Sequence, residues 1–572
     1  MHQHEIVDAD VVIVGGGPAG LATAIHLADL IEKHNGKVAK KETKDKSLKP
    51  NIFLVDKGST IGSHTLSGAV VNPDAFLELL PGVSHRDIPF EELVEKDEVY
   101  YFTKNRAMKL PLHPPGMDNE GNYVISLGKI VRWLSGIAEK KGIQVFPGFT
   151  GDKLLYKNGS VAGVRTADSG IDKRGKKRKN YQPGTDVVSK LTILAEGSRG
   201  HLSSELIAQA GLDKGKNPQI YALGIKELWE VPEENFEPGQ IMHVLGYPLS
   251  GEEFGGGFVY GMSPHETRPA LQVAVGLVAG LDYRDPTFDP HAAFQLFKRH
   301  PKIEKILAGG KLLCYGAKTI PEGGFFSLPR LCHDGALLVG DCAGFVTLPA
   351  LKGVHLAIRS GMLAAKTAYE ALRQNNFSKK QLALYESLFE KSAIHRELYP
   401  SRNFRQGFRN NLFKGMGHFG MQLLTGGRGL SSSGRIEVEE DFKSYGALAS
   451  FNGHTFQKRF EHELAFDNKA TFDKATNVFH SGTHHDEDQP CHCVFKDEGL
   501  LKESIEKFGA PSQYYCPGNV FELVTDSKTG KKDMRQSPSN CLHCKTCDIK
   551  EPFGNVQWTP PLPGDGPEYE NM

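Results

Sequence analysis

The stretch DADVVIVGGGPAGLATAIHLADLI, residues 8–31, constrains the fold more than any other part of the chain. Its apolar run predicts a buried strand, and after a glycine turn helical spacing begins at Leu21, Ala24, Ile25 and Ala28. A GxGxxG motif joins the two elements through Gly15, Gly17 and Gly20. There the backbone N–H groups at a helix N-terminus can meet the pyrophosphate of a dinucleotide. The sequence therefore predicts a βαβ nucleotide-binding unit at the start of the chain.

Three later strand ends carry residues suited to the same ligand. Asp56 ends the strand in NIFLVDKG and can accept a ribose hydroxyl, although 35 residues separate it from Gly20 where about twenty are usual. A lysine-rich insert explains the excess. LTILAEGSRG places Glu196 after an apolar strand, and GALLVGDCAG places Gly340 and Asp341 likewise. In this order the signals resemble the glutathione-reductase-type and hydroxylase-type FAD fold, which predicts FAD as cofactor.

The expected class is α/β, with α+β character overall, in several domains. Residues 1–204 form the first part of the FAD-binding domain, and 205–330, rich in alternating apolar residues with Gly and Pro, form a β-rich substrate domain. Residues 331–430 return to the FAD-binding domain. Residues 431–572 form a small domain that carries most of the cysteines. The nucleotide domain is therefore expected to be discontinuous.

Charge and hydropathy exclude some functions. The 68 basic residues balance the 68 acidic ones, so nothing indicates a nucleic-acid binder. The longest uncharged apolar run, LQVAVGLVAGL, is shorter than the roughly 18 residues that span a bilayer. MHQHEIVDAD resembles neither a signal peptide nor a transit peptide, which favours a cytoplasmic start.

Four cysteines near the end of the chain suggest a metal centre. Cys541, Cys544 and Cys547 read CxxCxxC, and Cys516 precedes Pro517. Three close cysteines plus a remote one before proline are typical of a ferredoxin-type [4Fe–4S] site. A four-cysteine zinc site is the alternative, but zinc prefers two separated CxxC pairs. The three-plus-one pattern favours the cluster.

The remaining cysteines give weaker signals. HSGTHHDEDQPCHCVF contains ligand-type residues, namely His484, His485, Cys491, His492 and Cys493. A CxC pair is too closely spaced for the usual two-residue ligand turn, so a metal here is disfavoured. Cys314, Cys332 and Cys342 lie singly in apolar segments and are interpreted as packing residues.

At this point the chain resembles the electron-transfer flavoprotein:ubiquinone oxidoreductase family over nearly its whole length. The resemblance lies in VVIVGGGPAGL, IGSHTLSGAVVNP, EGGFFSLPRL, LKGVHLAIRSGMLAA, YYCPGNVFEL and NCLHCKTCDIKEPFGNVQWTPPLPGDGPEY. It implies an electron-transferring-flavoprotein dehydrogenase with FAD, one ferredoxin-like [4Fe–4S] domain and a quinone-binding domain. Electrons from reduced electron-transfer flavoprotein would leave to ubiquinone at a membrane surface, on the cytoplasmic face of a bacterial inner membrane.

The resemblance also assigns residues. Cys516, Cys541, Cys544 and Cys547 match the cluster ligands, and Gly255 and Gly256 in EFGGGFVYG match glycines that present backbone groups to the quinone. A flexible glycine bend is the alternative there. An isoprenoid reductase or flavin hydroxylase with a fused cluster domain is the alternative function.

One segment is a candidate for membrane contact. In RNFRQGFRNNLFKGMGHFGMQLLTGGRG an apolar residue falls every four positions, at Phe404, Phe408, Leu412 and Met416. Basic residues are interspersed at Arg402, Arg405, Arg409 and Lys414. An apolar side with a basic rim is typical of an interfacial helix, whereas an ordinary core-facing helix is the alternative. KLPLHPPGM, residues 109–117, is a weaker second candidate.

Overall fold

Because the VVIV run is apolar on both faces, it forms the centre of a largely parallel sheet, as expected for a buried strand. A computed structural model describes residues 4–68, 70–111, 113, 117–262, 270–409, 412–431, 434–569 and 571–572. The strands of this first sheet are β1 (Glu5–Val14), β2 (Ile52–Asp56), β8 (Gln144–Pro147), β9 (Gly151–Lys157), β10 (Ser160–Thr166), β13 (Thr185–Leu194), β19 (Cys332–His333) and β20 (Ala336–Leu338). Their order is β19-β20-β13-β1-β2-β8, and β10 joins β13 and β9. Since β20, β13, β1 and β2 run parallel, their carboxyl ends meet at one edge.

Two long helices cover this sheet, α1 (Pro18–Ala39) and α7 (Val354–Gln374). They cross closely, because a Cβ on Gly361 would lie 2.4 Å from the Ala19 carbonyl oxygen. The other helices are α2 (Asp74–Leu79), α3 (Leu127–Lys140), α4 (His201–Ala210), α5 (Pro290–Lys298), α6 (Pro301–Leu307), α8 (Lys379–Leu382), α9 (Leu384–Glu390), α10 (Ala393–Leu398), α11 (Phe404–Gly407), α12 (Leu412–Leu424), α13 (Phe456–Arg459), α14 (Lys474–Phe479), α15 (Glu498–Phe508), α16 (Ser512–Tyr515) and α17 (Thr546–Lys550).

A second sheet forms the predicted β-rich part. Its strands are β5 (Lys96–Phe102), β6 (Ala107–Lys109), β14 (Tyr221–Val231), β15 (Gln240–Gly246), β16 (Gly255–Met262), β17 (Leu271–Gly280) and β18 (Lys311–Pro321), in the order β18-β14-β17-β16-β15-β5-β6. Residues 96–109 thus lie in this sheet, although the sequence-based division assigned them to residues 1–204. The pattern of a single strand does not reveal its partner, and β5 pairs in parallel with β15.

Short strands complete the architecture. They are β3 (Val70–Val71), β4 (Glu92–Leu93), β7 (Tyr123–Val124), β11 (Ser169–Ile171), β12 (Lys177–Gln182), β21 (Cys493–Phe495), β22 (Phe521–Thr525), β23 (Lys532–Gln536) and β24 (Val556–Trp558). The C-terminal part does not stand alone, because Phe456, Phe460 and Phe472 pack into the apolar core of the second sheet. This arrangement confirms the predicted α/β class. Within the described ranges, no helix is both long and apolar enough to cross a bilayer.

Candidate functional site

The glycine turn after β1 is shaped by close backbone contacts. Gly15 has a φ of +113°, and a Cβ there would lie 2.2 Å from the Ala195 carbonyl oxygen. A Cβ on Gly20 would lie 2.0 Å from the Gly15 carbonyl oxygen. A Cβ on Gly17 would meet nothing within 4 Å, and Gly17 lines a cavity. The outer two glycines therefore permit the strand-to-helix turn, whereas Gly17 leaves open space at the N-terminus of α1.

The carboxylate of Asp56 holds the glycine turn in place. Its Oδ2 accepts a hydrogen bond from the Gly16 N–H at 2.7 Å, and its Oδ1 accepts one from the Gly58 N–H at 2.8 Å. A carboxylate has about four lone-pair sites. The side chain is therefore engaged by backbone and retains capacity for a further donor.

The side chain of Glu196 serves helix α4. It accepts hydrogen bonds from the N–H groups of Leu202 and Ser203, at 3.2 and 2.7 Å. Burial opposes its charge, but a hydrogen bond and the charge of His201 prevail and lower the pKa of Glu196 to about 2. The Glu196 carboxylate therefore binds the N-terminus of α4. Its sequence neighbours Ala195 and Gly197 line the cavity.

Gly340 and Asp341 lie where β20 ends and line the same cavity. Gly340 has a φ of +66°, and its N–H donates to the Ser360 hydroxyl at 2.9 Å. Burial raises the pKa of Asp341 to about 6, although the nearby Lys318 ammonium opposes this shift. The sequence-predicted residues Gly17, Gly340 and Asp341 therefore meet at one end of the cavity, called here the inner end.

The cavity has a volume of about 780 Å³ and runs from the inner end along the second sheet. Gly255 and Gly256 line it from within β16, so they do not form a flexible bend. A Cβ on Gly255 would lie 2.0 Å from the Val278 carbonyl oxygen, and one on Gly256 would lie 2.5 Å from that of Val244. These contacts require glycine and leave backbone facing the cavity.

Apolar side chains form the opposite end of the cavity, called here the mouth: Phe404, Phe408, Met416, Phe419 and Leu423. Of these side chains Leu423 is 57% exposed, and the adjacent Leu424 is 81% exposed. The expected single helix is divided into α11 and α12. Residues 112 and 114–116 of the second membrane candidate lie outside the described residues, whereas Leu110, His113 and Met117 line the cavity.

The predicted basic rim is wrong at two positions. Arg405 is 1% exposed and forms ion pairs with Glu322 and Asp282. Arg402 is buried and donates hydrogen bonds to the Tyr399 and Gly426 carbonyl oxygens. Spacing alone did not reveal these tertiary partners. Arg409 and Lys414 are exposed, in agreement with the prediction.

The four predicted ligand cysteines are all buried: Cys516, Cys541, Cys544 and Cys547. Backbone N–H groups donate hydrogen bonds to two of these sulfur atoms. The Val520 N–H donates to the Cys516 Sγ and the His543 N–H donates to the Cys541 Sγ, both at 3.4 Å. The Thr546 hydroxyl donates to the Cys544 Sγ at 3.3 Å. Buried thiols with such donors form a donor set that fits an iron–sulfur cluster.

The CHC stretch adjoins this cysteine site. The Sγ atoms of Cys493 and Cys541 and one ring nitrogen of His492 lie within 4.8 Å of one another. The imidazoles of His485 and His543 are linked by a 2.9 Å contact between their Nε2 atoms, and Lys57 approaches the His543 Nδ1 at 3.1 Å. This proximity could not be predicted from the sequence, because nearly fifty residues separate the CHC stretch from the CxxCxxC motif.

Thr319 connects the cysteine site to the cavity. Its hydroxyl donates to the Cys544 carbonyl oxygen at 2.8 Å, and Thr319 itself lines the cavity. The adjacent Lys318 is half-buried, and desolvation lowers the pKa of its ammonium group despite Cys544 and Asp341 nearby. Neither residue lies in a recognisable motif, so sequence reasoning missed both.

Comparisons with known proteins agree with this architecture. A family model described as "ETF-QO, ubiquinone-binding" matches residues 221–320, and "Electron transfer flavoprotein-ubiquinone oxidoreductase, 4Fe-4S" matches residues 468–570. A geranylgeranyl bacteriochlorophyll reductase-like structure from Thermoplasma acidophilum covers 80% of this chain and 100% of its own, with a TM-score of 0.54 and 20% identity. That likeness concerns the fold alone.

Two relatives match along the chain. The mitochondrial electron transfer flavoprotein-ubiquinone oxidoreductase of Arabidopsis thaliana is 38% identical over 99% of this chain and 85% of the relative. The probable electron transfer flavoprotein-ubiquinone oxidoreductase of Acinetobacter baylyi is 37% identical over 100% of this chain and 99% of the relative. This chain therefore belongs to the electron transfer flavoprotein-ubiquinone oxidoreductase family.

Proposed function

We propose that this chain is an oxidoreductase that takes electrons from reduced electron transfer flavoprotein and passes them to ubiquinone, giving ubiquinol. The observation that carries the proposal is a continuous cavity lined both by the dinucleotide loop and by an apolar mouth, with the cysteine site attached through Thr319. Such a cavity can hold a cofactor at one end and admit a lipid-like acceptor at the other.

In this proposal FAD is held at the inner end. Gly15, Gly17 and Gly20 leave the α1 N-terminus open to the pyrophosphate, and Asp56 offers an acceptor to a ribose hydroxyl. Gly340 and Asp341 face the cofactor from the end of β20, while Glu196 acts by fixing the turn before α4. When bound, FAD supplies a centre that exchanges electrons singly or in pairs.

Cys516, Cys541, Cys544 and Cys547 are proposed as ligands of one [4Fe–4S] cluster. Their burial excludes water, and the N–H and hydroxyl donors at sulfur stabilise thiolate charge. The residues between the thiols support the turn, because His543 and Lys545 have φ values of +55° and +65°. When bound, the cluster supplies a one-electron centre.

The quinone is proposed to enter through the mouth and to place its head group beside Gly255 and Gly256. Because these glycines carry no side chain, backbone polar groups can approach a ligand closely. The exposed leucines beside the mouth, with Arg409 and Lys414 nearby in sequence, would contact the lipid surface. The cytoplasmic face of a bacterial inner membrane is the proposed location.

We retain the proposed domain division, with residues 205–330 as the quinone part and 431–572 as the cluster part. Residues 1–204 and 331–430 form the FAD part, except that the strands at 96–109 belong with the quinone part. The extent of the two family models, 221–320 and 468–570, supports this division.

The decisive experiment measures quinol formation with reduced electron transfer flavoprotein as donor and a short-chain ubiquinone as acceptor. The expected result is donor-dependent quinol formation by protein that contains flavin and iron. Absence of quinol formation by such fully loaded protein would contradict the proposal.

Cysteine variants separate this function from the alternative, a flavin-dependent reductase or hydroxylase with a fused cluster domain. Cys541→Ala should lose the cluster's paramagnetic resonance signal and the donor-dependent turnover. The control Cys491→Ala, whose half-buried thiol contacts the Cys493 carbonyl oxygen, should retain both. The alternative function predicts that turnover survives in both variants.

A further inference from the structure

Reduction of a quinone to a quinol requires two protons as well as two electrons, and the cavity must supply them. Most of the cavity wall is apolar. Near the quinone glycines its ionisable lining includes His243, His113, Tyr260 and Lys352. His243 pairs with Phe258 across β15 and β16, close to Gly256, whose Cβ would contact the Val244 carbonyl oxygen. His243 is therefore next to the proposed head-group position.

A buried carboxylate lies behind this imidazole. The Asp97 Oδ1 is 3.7 Å from the His243 Nε2 and 3.8 Å from the His113 Nε2. The His113 Nε2 also forms a 3.1 Å hydrogen bond with the Asp97 backbone carbonyl oxygen. That oxygen is buried and has no hydrogen-bond partner among the described residues. One carboxylate oxygen thus faces two imidazoles at once.

Asn119 fixes the carboxylate and the ring relative to each other. Its N–H and its Nδ2 donate to the Asp97 Oδ2 at 3.0 and 2.8 Å. Its Nδ2 also donates to the Met117 carbonyl oxygen at 2.7 Å and lies 3.2 Å from the His243 Nε2. Because an amide nitrogen can donate but not accept, we assign Nε2 as the unprotonated nitrogen of the neutral His243 ring and place the proton on Nδ1. The Nδ1 atom is the nitrogen that neither Asp97 nor Asn119 engages.

Exposure falls along this set of residues. The side chain of His113 is 31% exposed, that of His243 is 8% exposed and that of Asp97 is fully buried. His113 can therefore exchange protons with water, while His243 lies between the cavity and the carboxylate.

We propose that His243 donates protons to the quinone and that Asp97 and His113 return protons to it from solvent. This inference rests on the proposed quinone reductase function. Before each transfer His243 takes a proton at Nε2 by way of the Asp97 Oδ1, which makes the ring an imidazolium. The Nδ1–H bond then breaks as an O–H bond forms on the quinone, which returns the ring to its neutral form, while the electrons arrive from the flavoprotein donor. His243 is the catalytic residue here, and Asp97 and Asn119 are positioning residues.

The surrounding charges suit a proton donor. Burial lowers the pKa of His243 to about 4, and the Lys352 and His113 charges add to this effect while Asp97 opposes it. A protonated His243 would therefore release its proton readily. Burial and the Asp97 charge raise the pKa of Tyr260, which keeps that hydroxyl protonated beside the ring.

The test compares two acceptors in the His243→Gln variant. A short-chain ubiquinone needs protons, whereas ferricyanide takes one electron and no proton. With reduced electron transfer flavoprotein as donor, quinone turnover should fall about 100-fold, a typical effect of losing an acid–base group, and ferricyanide turnover should stay unchanged. Asp97→Asn should reduce quinone turnover less and increase its solvent deuterium isotope effect.

His291→Gln is the matched control, because His291 is a buried imidazole of the same region that does not line the cavity. Flavin absorbance and the cluster signal verify that each variant is loaded. Full quinone turnover in H243Q, or an equal fall with both acceptors, would overturn the proposal. Wild-type protein that fails to reduce quinone at all would instead overturn the proposed function.

Discussion

The two ends of the cavity differ in whether backbone or side chains line them. The inner end consists of backbone at strand termini and the start of a 22-residue helix, with small residues such as Gly17 and Ala19. The mouth consists of phenylalanine, methionine and leucine side chains at α11, just after it, and on α12. Fixed backbone donors suit a charged cofactor that stays bound, whereas adaptable apolar side chains suit a lipid-like molecule that must enter and leave.

The largest expected effect concerns the inner end. Gly20→Val should abolish flavin binding and reduce the yield of folded protein, because its Cβ would lie 2.0 Å from the Gly15 carbonyl oxygen. Gly17→Ala should leave the flavin-free fold intact and weaken flavin binding at least about tenfold, since its Cβ points into the open space of the cavity. Flavin titration and thermal denaturation check both. Normal flavin binding by G20V would refute this account of the turn.

The next effect concerns the mouth. The double substitution Leu423→Glu and Leu424→Glu should weaken binding to lipid vesicles about tenfold or more, because burial of one leucine contributes about 2 kcal/mol. Flavin content should not change. Leu93→Glu provides the control, since Leu93 is also exposed but does not line the cavity. Vesicle binding is measured by sedimentation. If the double variant binds vesicles as tightly as the wild type, α12 is not part of the membrane-contact surface.

The smallest effect tests the charge at the inner end. Burial raises the pKa of Asp341 from its ordinary value of 3.8 to about 6, so the folded chain favours the protonated carboxyl. The resulting stability is fully present below pH 3.8 and is lost as the pH rises through about 6. Relative to the wild type, Asp341→Asn should therefore gain about 1–2 kcal/mol between pH 5 and 8. Denaturant titrations of flavin-free protein check this; a pH-independent difference would show that Asp341 ionises normally.

Features that depend on neighbouring residues were the ones that could be predicted from the sequence. The turn at Gly15–Gly20 and the CxxCxxC loop are contiguous, and their chemistry follows from spacing. The Asp97, His113 and His243 cluster was not predictable, because it depends on the parallel register of β5 against β15. The error at Arg405 has the same origin, since Asp282 and Glu322 lie 123 and 83 residues away in sequence.

The way the tail packs into the second sheet has a consequence for synthesis of the chain. Phe456, Phe460 and Phe472, together with Leu542 and Ile549, complete the core of a sheet whose first strand begins at residue 96. During translation that core cannot close until almost all residues have left the ribosome. The nascent chain must therefore keep an apolar surface exposed for most of its synthesis, which makes it a natural client of chaperones. Insertion of iron and sulfur becomes one of the last steps of maturation.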